Sequence, residues 1–121
     1  MNREDLRRRT KEFAVKIIQT VASLPKNKIT DVLGYQLLKS GTSIGANYRE
    51  ACRARSRADF VSKIGIVEQE ADETMYWLEL LEEMNLIDPQ QSSPLRKECD
   101  ELLAIFVATG KTTKSSKPTE H

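Results

Sequence analysis

The sequence is short of the residues that most enzymes and metal centres need. Its 121 residues include one histidine, the terminal His121, and two cysteines, Cys52 and Cys99. There is no internal histidine to serve as a general base and no glycine-rich loop to cradle phosphate, so the chain is expected not to be an enzyme. Glu68, Glu70, Asp72 and Glu73 cluster, but bundle di-iron sites combine glutamates with Glu-x-x-His on facing helices. Those acids therefore read as a solvated face or as partners for arginine, and neither a metal nor another cofactor is expected. Cys52 and Cys99 sit at apolar helical positions without histidine neighbours, which suits small core residues better than zinc ligands. No apolar run reaches the roughly 18 residues of a membrane span. The N-terminal MNREDLRRRTKEF lacks the apolar stretch of a signal peptide, so the expectation is a cytoplasmic protein with reduced thiols and no membrane partner.

Proline and glycine are scarce, four and five residues, and aromatics make up 6% against 31% charged residues. That balance belongs to helical proteins, and the length suits one domain with a single core. Net charge is +1 but unevenly spread: residues 1–57 carry 13 basic and 5 acidic side chains, residues 58–109 carry 3 and 12, and residues 110–121 carry 3 and 1. Such polarity would serve a basic face for phosphate, or complementary helix packing within or between subunits.

Hydrophobic periodicity predicts four helices, at about 5–24, 30–54, 57–84 and 94–109, in a single unit spanning 1–110. In the first, Leu6, Thr10, Phe13, Ile17, Thr20 and Leu24 form one stripe, and Pro25 ends it. Thr30 is the expected cap of the second, which lines up Leu33, Leu37, Ile44 and Tyr48. The third carries a heptad seam of Phe60, Ile64, Val67, Ala71, Thr74, Leu78 and Leu81, the pattern of bundle packing. Pro89 stops it, and Ser93-Pro94 reads as a cap with proline at the first position of the fourth helix. Residues 111–121, polar and without core side chains, are expected to be a disordered tail.

The stretch from Ser40 to Ala71 organises the rest. Gly41 and Gly45 each cost about 1 kcal/mol against alanine in a helix, so they mark either tight packing or a kink near Gly41. Asn47 lies between Ile44 and Ala51 at helical spacing, as a structural specifier or a contact residue. Arg49, Arg53, Arg55 and Arg57 crowd a helix–helix corner where Ser56 and Asp59 form a capping-box pattern. The corner reads as solvated and matched to the helix dipole, or as a phosphate site. Arg7, Arg8, Arg9 and Lys11 fall mostly off the first core stripe and allow the same two readings. A second apolar stripe on the third helix, with Val61, Met75, Trp77, Leu80 and Met84 and with Tyr76 nearby, exceeds what one contact needs and points to a subunit interface.

The run Ser43-Ile44-Gly45-Ala46-Asn47-Tyr48-Arg49-Glu50-Ala51, followed by Ser56, Phe60, Ile64, Glu70 to Glu73 and Trp77 to Leu81, resembles the bacterial four helix bundle proteins, also called 23S rRNA intervening-sequence proteins. The likeness runs from about Thr10 to Thr109. It implies an all-α, antiparallel up-down four-helix bundle assembling as a ring-shaped homopentamer, without catalytic residues. A related accessory protein of diversity-generating retroelements binds nucleic acid and a reverse transcriptase.

Two functions are therefore expected. One is an oligomeric scaffold or adaptor that binds itself and another protein, with Asn47, Tyr48, Tyr76, Trp77 and Leu80 at the oligomer interface. The alternative is sequence-independent RNA or DNA binding through Arg7, Arg8, Arg9, Arg49, Arg53, Arg55 and Arg57. No helix-turn-helix, zinc finger or aromatic base-stacking platform is visible.

Overall fold

The computed structural model describes residues 1–115. Four helices follow one another: α1 (Arg3–Ala22), α2 (Lys28–Cys52), α3 (Arg57–Glu83) and α4 (Pro89–Ser115). Each consecutive pair packs closely, while α1 and α4 touch least among the adjacent pairs. The pairings run antiparallel. Gly45 lies against Thr10 and Gly34 against Leu24, Cys99 faces Ala71, and Gly110 faces Ile64.

The predicted stripes form the core. All six α1-side positions from Leu6 to Leu24 and all seven α3 seam positions from Phe60 to Leu81 are buried. The three buried threonines on those stripes satisfy their hydroxyls within their own helices: Thr10 donates to the Leu6 carbonyl at 2.8 Å, Thr20 to that of Lys16 at 2.8 Å and Thr74 to that of Glu70 at 2.7 Å. Burial therefore leaves none of these hydroxyls unpaired. The Cys99 thiol donates to the Ala71 carbonyl at 3.2 Å; burial first, then nearby Asp100, Asp72 and Glu98, push its pKa up to about 12. Such a thiol stays protonated and inert.

Local chemistry sets the helix ends, with several differences from expectation. Asn2, not Asp5, opens α1 through a reciprocal box with Asp5. Asn27, not Thr30, caps α2: its Oδ1 accepts from the Thr30 amide at 2.9 Å and from the Thr30 hydroxyl at 3.0 Å. Ser56 caps α3 by accepting from the Asp59 amide at 3.0 Å, while the Asp59 carboxylate accepts one residue early, from the Arg55 amide at 3.3 Å. At the end of α3 Asn85 takes a left-handed φ of 55°, and the Leu86 amide returns to the Leu81 carbonyl at 2.9 Å. Asparagine tolerates that conformation and so closes the helix where glycine usually would. The fourth helix begins at Asp88-Pro89 rather than Ser93-Pro94. Asp88 Oδ1 accepts from the Gln90 amide at 2.9 Å, and Pro94 lies inside the helix. At the other end α4 continues through Ser115, so residues 111–115 of the expected disordered tail are helical; the remaining six lie outside the described residues. No kink is needed at Gly41, and α2 is one helix.

Two polar clamps tie α4 to the bundle. Glu82 accepts from the Ser92 hydroxyl at 2.6 Å and from Arg96 Nε at 2.9 Å; the hydroxyl first, then the guanidinium, holds its carboxyl below the ordinary 4.5. Across the thin α1–α4 seam, Arg9 Nε and Nη2 donate to Glu98 at 2.6 and 2.7 Å, and Nη2 also reaches Glu101 at 2.9 Å. The hydrogen bond to Glu98 raises the Arg9 pKa further than burial lowers it. A planar fork is needed for this bidentate geometry. We expect Arg9→Lys to lose about 2 kcal/mol in urea denaturation, and a variant as stable as the parent would refute the clamp.

Candidate interaction surfaces

The seven arginines expected to contact nucleic acid separate into distinct environments. Arg9 is spent on Glu98 and Glu101 and leaves that set: it is a structural clamp. Arg8 is exposed but shared between Asp5 at 3.2 Å and Glu12 at 3.8 Å. Arg55 is exposed in the α2–α3 turn, and Arg57 is half-buried at the first position of α3. Arg7, Arg49 and Arg53 are brought together with Lys11, which shares the two readings of the α1 basic run but is not among the seven arginines. They line two adjoining depressions between α1 and α2. The signal for Lys11 was its spacing of four from Arg7, which places both on one face. Arg3 was missed. Its Nη1 donates to the Cys52 carbonyl at 3.4 Å, and its guanidinium lies 5.0 Å over the Phe60 ring, joining three helices at this corner.

The residues expected at an oligomer interface divide likewise. Tyr48 is no surface residue: it is 2% exposed and its ring packs 5.4 Å from that of Phe106 on α4. Burial first, then its contact with Cys52, pushes its phenol pKa upward. Asn47 is half-buried and donates to the Ser43 carbonyl at 2.8 Å in its own helix, not across a seam. Tyr76, Trp77 and Leu80 do reach the surface. Tyr76 is 55% exposed and meets Trp77 edge to face at 5.1 Å, while Trp77 and Leu80 are half-buried.

Helical spacing extends this patch into a broad face. On α3 the row Ile66, Glu70, Glu73, Trp77, Leu80 and Met84 advances by fours and threes; on α2 the row Ile29, Val32, Gln36, Lys39, Ser43 and Asn47 does the same. The rows are neighbours where Ser43 and Lys39 lie close to Glu70. Met84 is 60% and Val32 56% exposed. Isoleucine and valine at 29 and 32 are the contributors that sequence reading missed, although their spacing of three, opposite the buried Leu37, was visible.

Within this face Glu70 lies beside Glu73, and burial first, then that neighbouring carboxyl, raises its carboxyl pKa. A raised folded-state value means the folded protein binds more protons than the unfolded chain between the two values. Stability from this group therefore grows as pH falls from neutral through the folded pKa. Glu70→Gln is expected to melt higher than the parent at neutral pH and to lose the parent's gain on mild acidification, as read by circular dichroism. An unchanged profile would contradict the raised value.

Among the described residues no three carboxylate, thiol or imidazole groups converge as a metal would require, and no helix is long and apolar enough to cross a membrane. The chain is similar in structure to a protein of unknown function from the S23 ribosomal protein family of Bacteroides thetaiotaomicron VPI-5482, with a TM-score of 0.85 and 39% identity over 92% of this chain and 99% of that one. No curated protein matches it. Residues 4–108 match the family described as 23S rRNA-intervening sequence protein, and four antiparallel helices built on the seam from Phe60 to Leu81 agree with it. The chain belongs to the 23S rRNA-intervening sequence protein family.

Proposed function

We propose that this protein is a non-enzymatic adaptor that works as a homo-oligomer, a ring-shaped pentamer, assembled through the outward α2–α3 face. The observation that carries this reading is the exposure of Val32, Tyr76 and Met84 beside half-buried Trp77 and Leu80 on one side of a bundle whose core is already complete. Large apolar side chains left together at the surface mark a face that gains by being covered. The competing reading, binding of RNA or DNA along the phosphate backbone, has lost Arg9 to Glu98 and shares Arg8 with Asp5 and Glu12.

Light scattering at micromolar concentration tests assembly. The particle mass is expected to be five times the 13.8 kDa of the chain, and Trp77→Glu with Leu80→Glu is expected to reduce it to a single chain with its helix content intact. A parent protein that is monomeric under these conditions would end this reading.

A further inference from the structure

The groove between α1 and α2 lies on the other side of α2 from the face just described. We propose that it docks one helix of a partner protein, apolar over most of its length and acidic at its C-terminal end, lying parallel to α2. The inference deepens the adaptor reading by naming the chemistry of its partner, and it does not depend on self-assembly.

Shape comes first. A depression of about 250 Å³ is bounded by Arg7, Lys11 and Arg49, with Gly45 and Ala46 between them. It opens into a second of about 460 Å³ that adds Arg8, Arg53 and Glu4. Gly45 leaves the Thr10 side chain as the wall, since a Cβ there would come within 3.1 Å of its hydroxyl. The side chains at a contact set the interaxial distance within about 8–10 Å, and the small ones along this stretch favour its short end.

Charge comes second. Among the described residues Arg7, Lys11, Arg49 and Arg53 enter no ion pair, and Glu4 is the one acid that lines this end. Four cations are thus held together beside a single acid.

Beyond the two depressions the same helix rows have the opposite character. The α1 row Arg7, Lys11, Ala14 continues to Ile18, and the α2 row Arg49, Ala46, Thr42 continues to Leu38 and Tyr35. Ile18 is 48% exposed and Tyr35 60%. From Arg53 to Tyr35 the α2 row spans about 27 Å at 1.5 Å per residue, the length of an ordinary partner helix.

A cationic end followed by an apolar end fits an amphipathic helix better than a polynucleotide, whose phosphates would need cations along the whole path. The dipole sets its direction. A helix C-terminus carries about half a negative charge, so that end, with its carboxylates, belongs at the arginines. The C-terminus of α2 lies at the same end, which makes the two helices parallel.

The test uses a fluorescein-labelled peptide of about 20 residues, leucine and alanine on one face, with glutamates in its last two turns and a free C-terminus. Its counterpart carries the same glutamates in the first two turns. Anisotropy titrations with the full chain are run beside labelled oligothymidine and duplex RNA of similar length. We expect micromolar binding of the first peptide, weakened at least about tenfold, or 1.4 kcal/mol, by moving its glutamates, by Arg49→Glu with Arg53→Glu, and by Ala46→Trp. Ala46 is exposed, so that tryptophan fills the groove without entering the core. Trp77→Glu with Leu80→Glu should leave peptide binding unchanged even where it disperses the oligomer, which separates failure of this inference from failure of assembly. The inference is overturned if the peptide does not bind, if both peptides bind equally, or if an oligonucleotide binds more tightly and is the species that Ala46→Trp excludes.

Discussion

Phe106→Ala is expected to cost about 3–5 kcal/mol, a large share of the stability of a domain this size. Phe106 is fully buried and lies against Tyr48 with ring centroids 5.4 Å apart, tilted by 44°. Truncation removes the transfer energy of the ring and leaves a cavity whose other wall is a tyrosine that cannot swing away without exposing its own buried face. The loss also strikes a link between α2 and α4, helices that are not neighbours around the bundle. Chemical denaturation gives the test: the midpoint should fall sharply while the slope is unchanged. Tyr48→Phe, which keeps the ring, should cost far less. If the two variants were equally damaging, the contact with Cys52 rather than the ring pair would hold this layer.

How much of this could be read beforehand depended on how local each signal was. The α3 seam was legible because seven successive heptad positions are apolar or small, and no polar alternative competes. Stretches that look alike were not legible. Asp88-Pro89 and Ser93-Pro94 both present a cap followed by proline, and the choice falls to the first because Ser92 is needed within the helix, where its hydroxyl reaches Glu82. Tyr48 was assigned to a surface because its α4 partner lies 58 positions along the chain. Arg9 looked like one of three equivalent arginines. Only Glu98 and Glu101, 89 and 92 residues away, distinguish it from Arg7 and Arg8. The basic groove was half legible: the spacing from Arg7 to Lys11 was readable, but its pairing with Arg49 needed the antiparallel crossing of α1 and α2.

That crossing depends on one backbone position more than any other, and Gly41→Leu is the variant expected to break it, at a cost of about 3 kcal/mol or more. Intrinsic preference predicts the opposite sign, because leucine is better than glycine in a helix by nearly 1 kcal/mol. Space decides against it. A Cβ at Gly41 would lie 2.8 Å from Ile17 Cγ2 and 2.9 Å from Cγ1, and Ile17 is fully buried with no free direction in which to retreat. Either α1 and α2 separate along their length, or Ile17 abandons its rotamer and disturbs the layer above Phe13. Gly65 provides the contrast. It is exposed, and a Cβ there meets nothing within 4 Å, so Gly65→Ala should show the helix preference unopposed and stabilise by up to about 1 kcal/mol. Thermal melts of the two variants beside the parent decide the matter: opposite shifts mean that close approach of α1 selected glycine at 41, while two upward shifts would mean that the seam can open to admit a side chain.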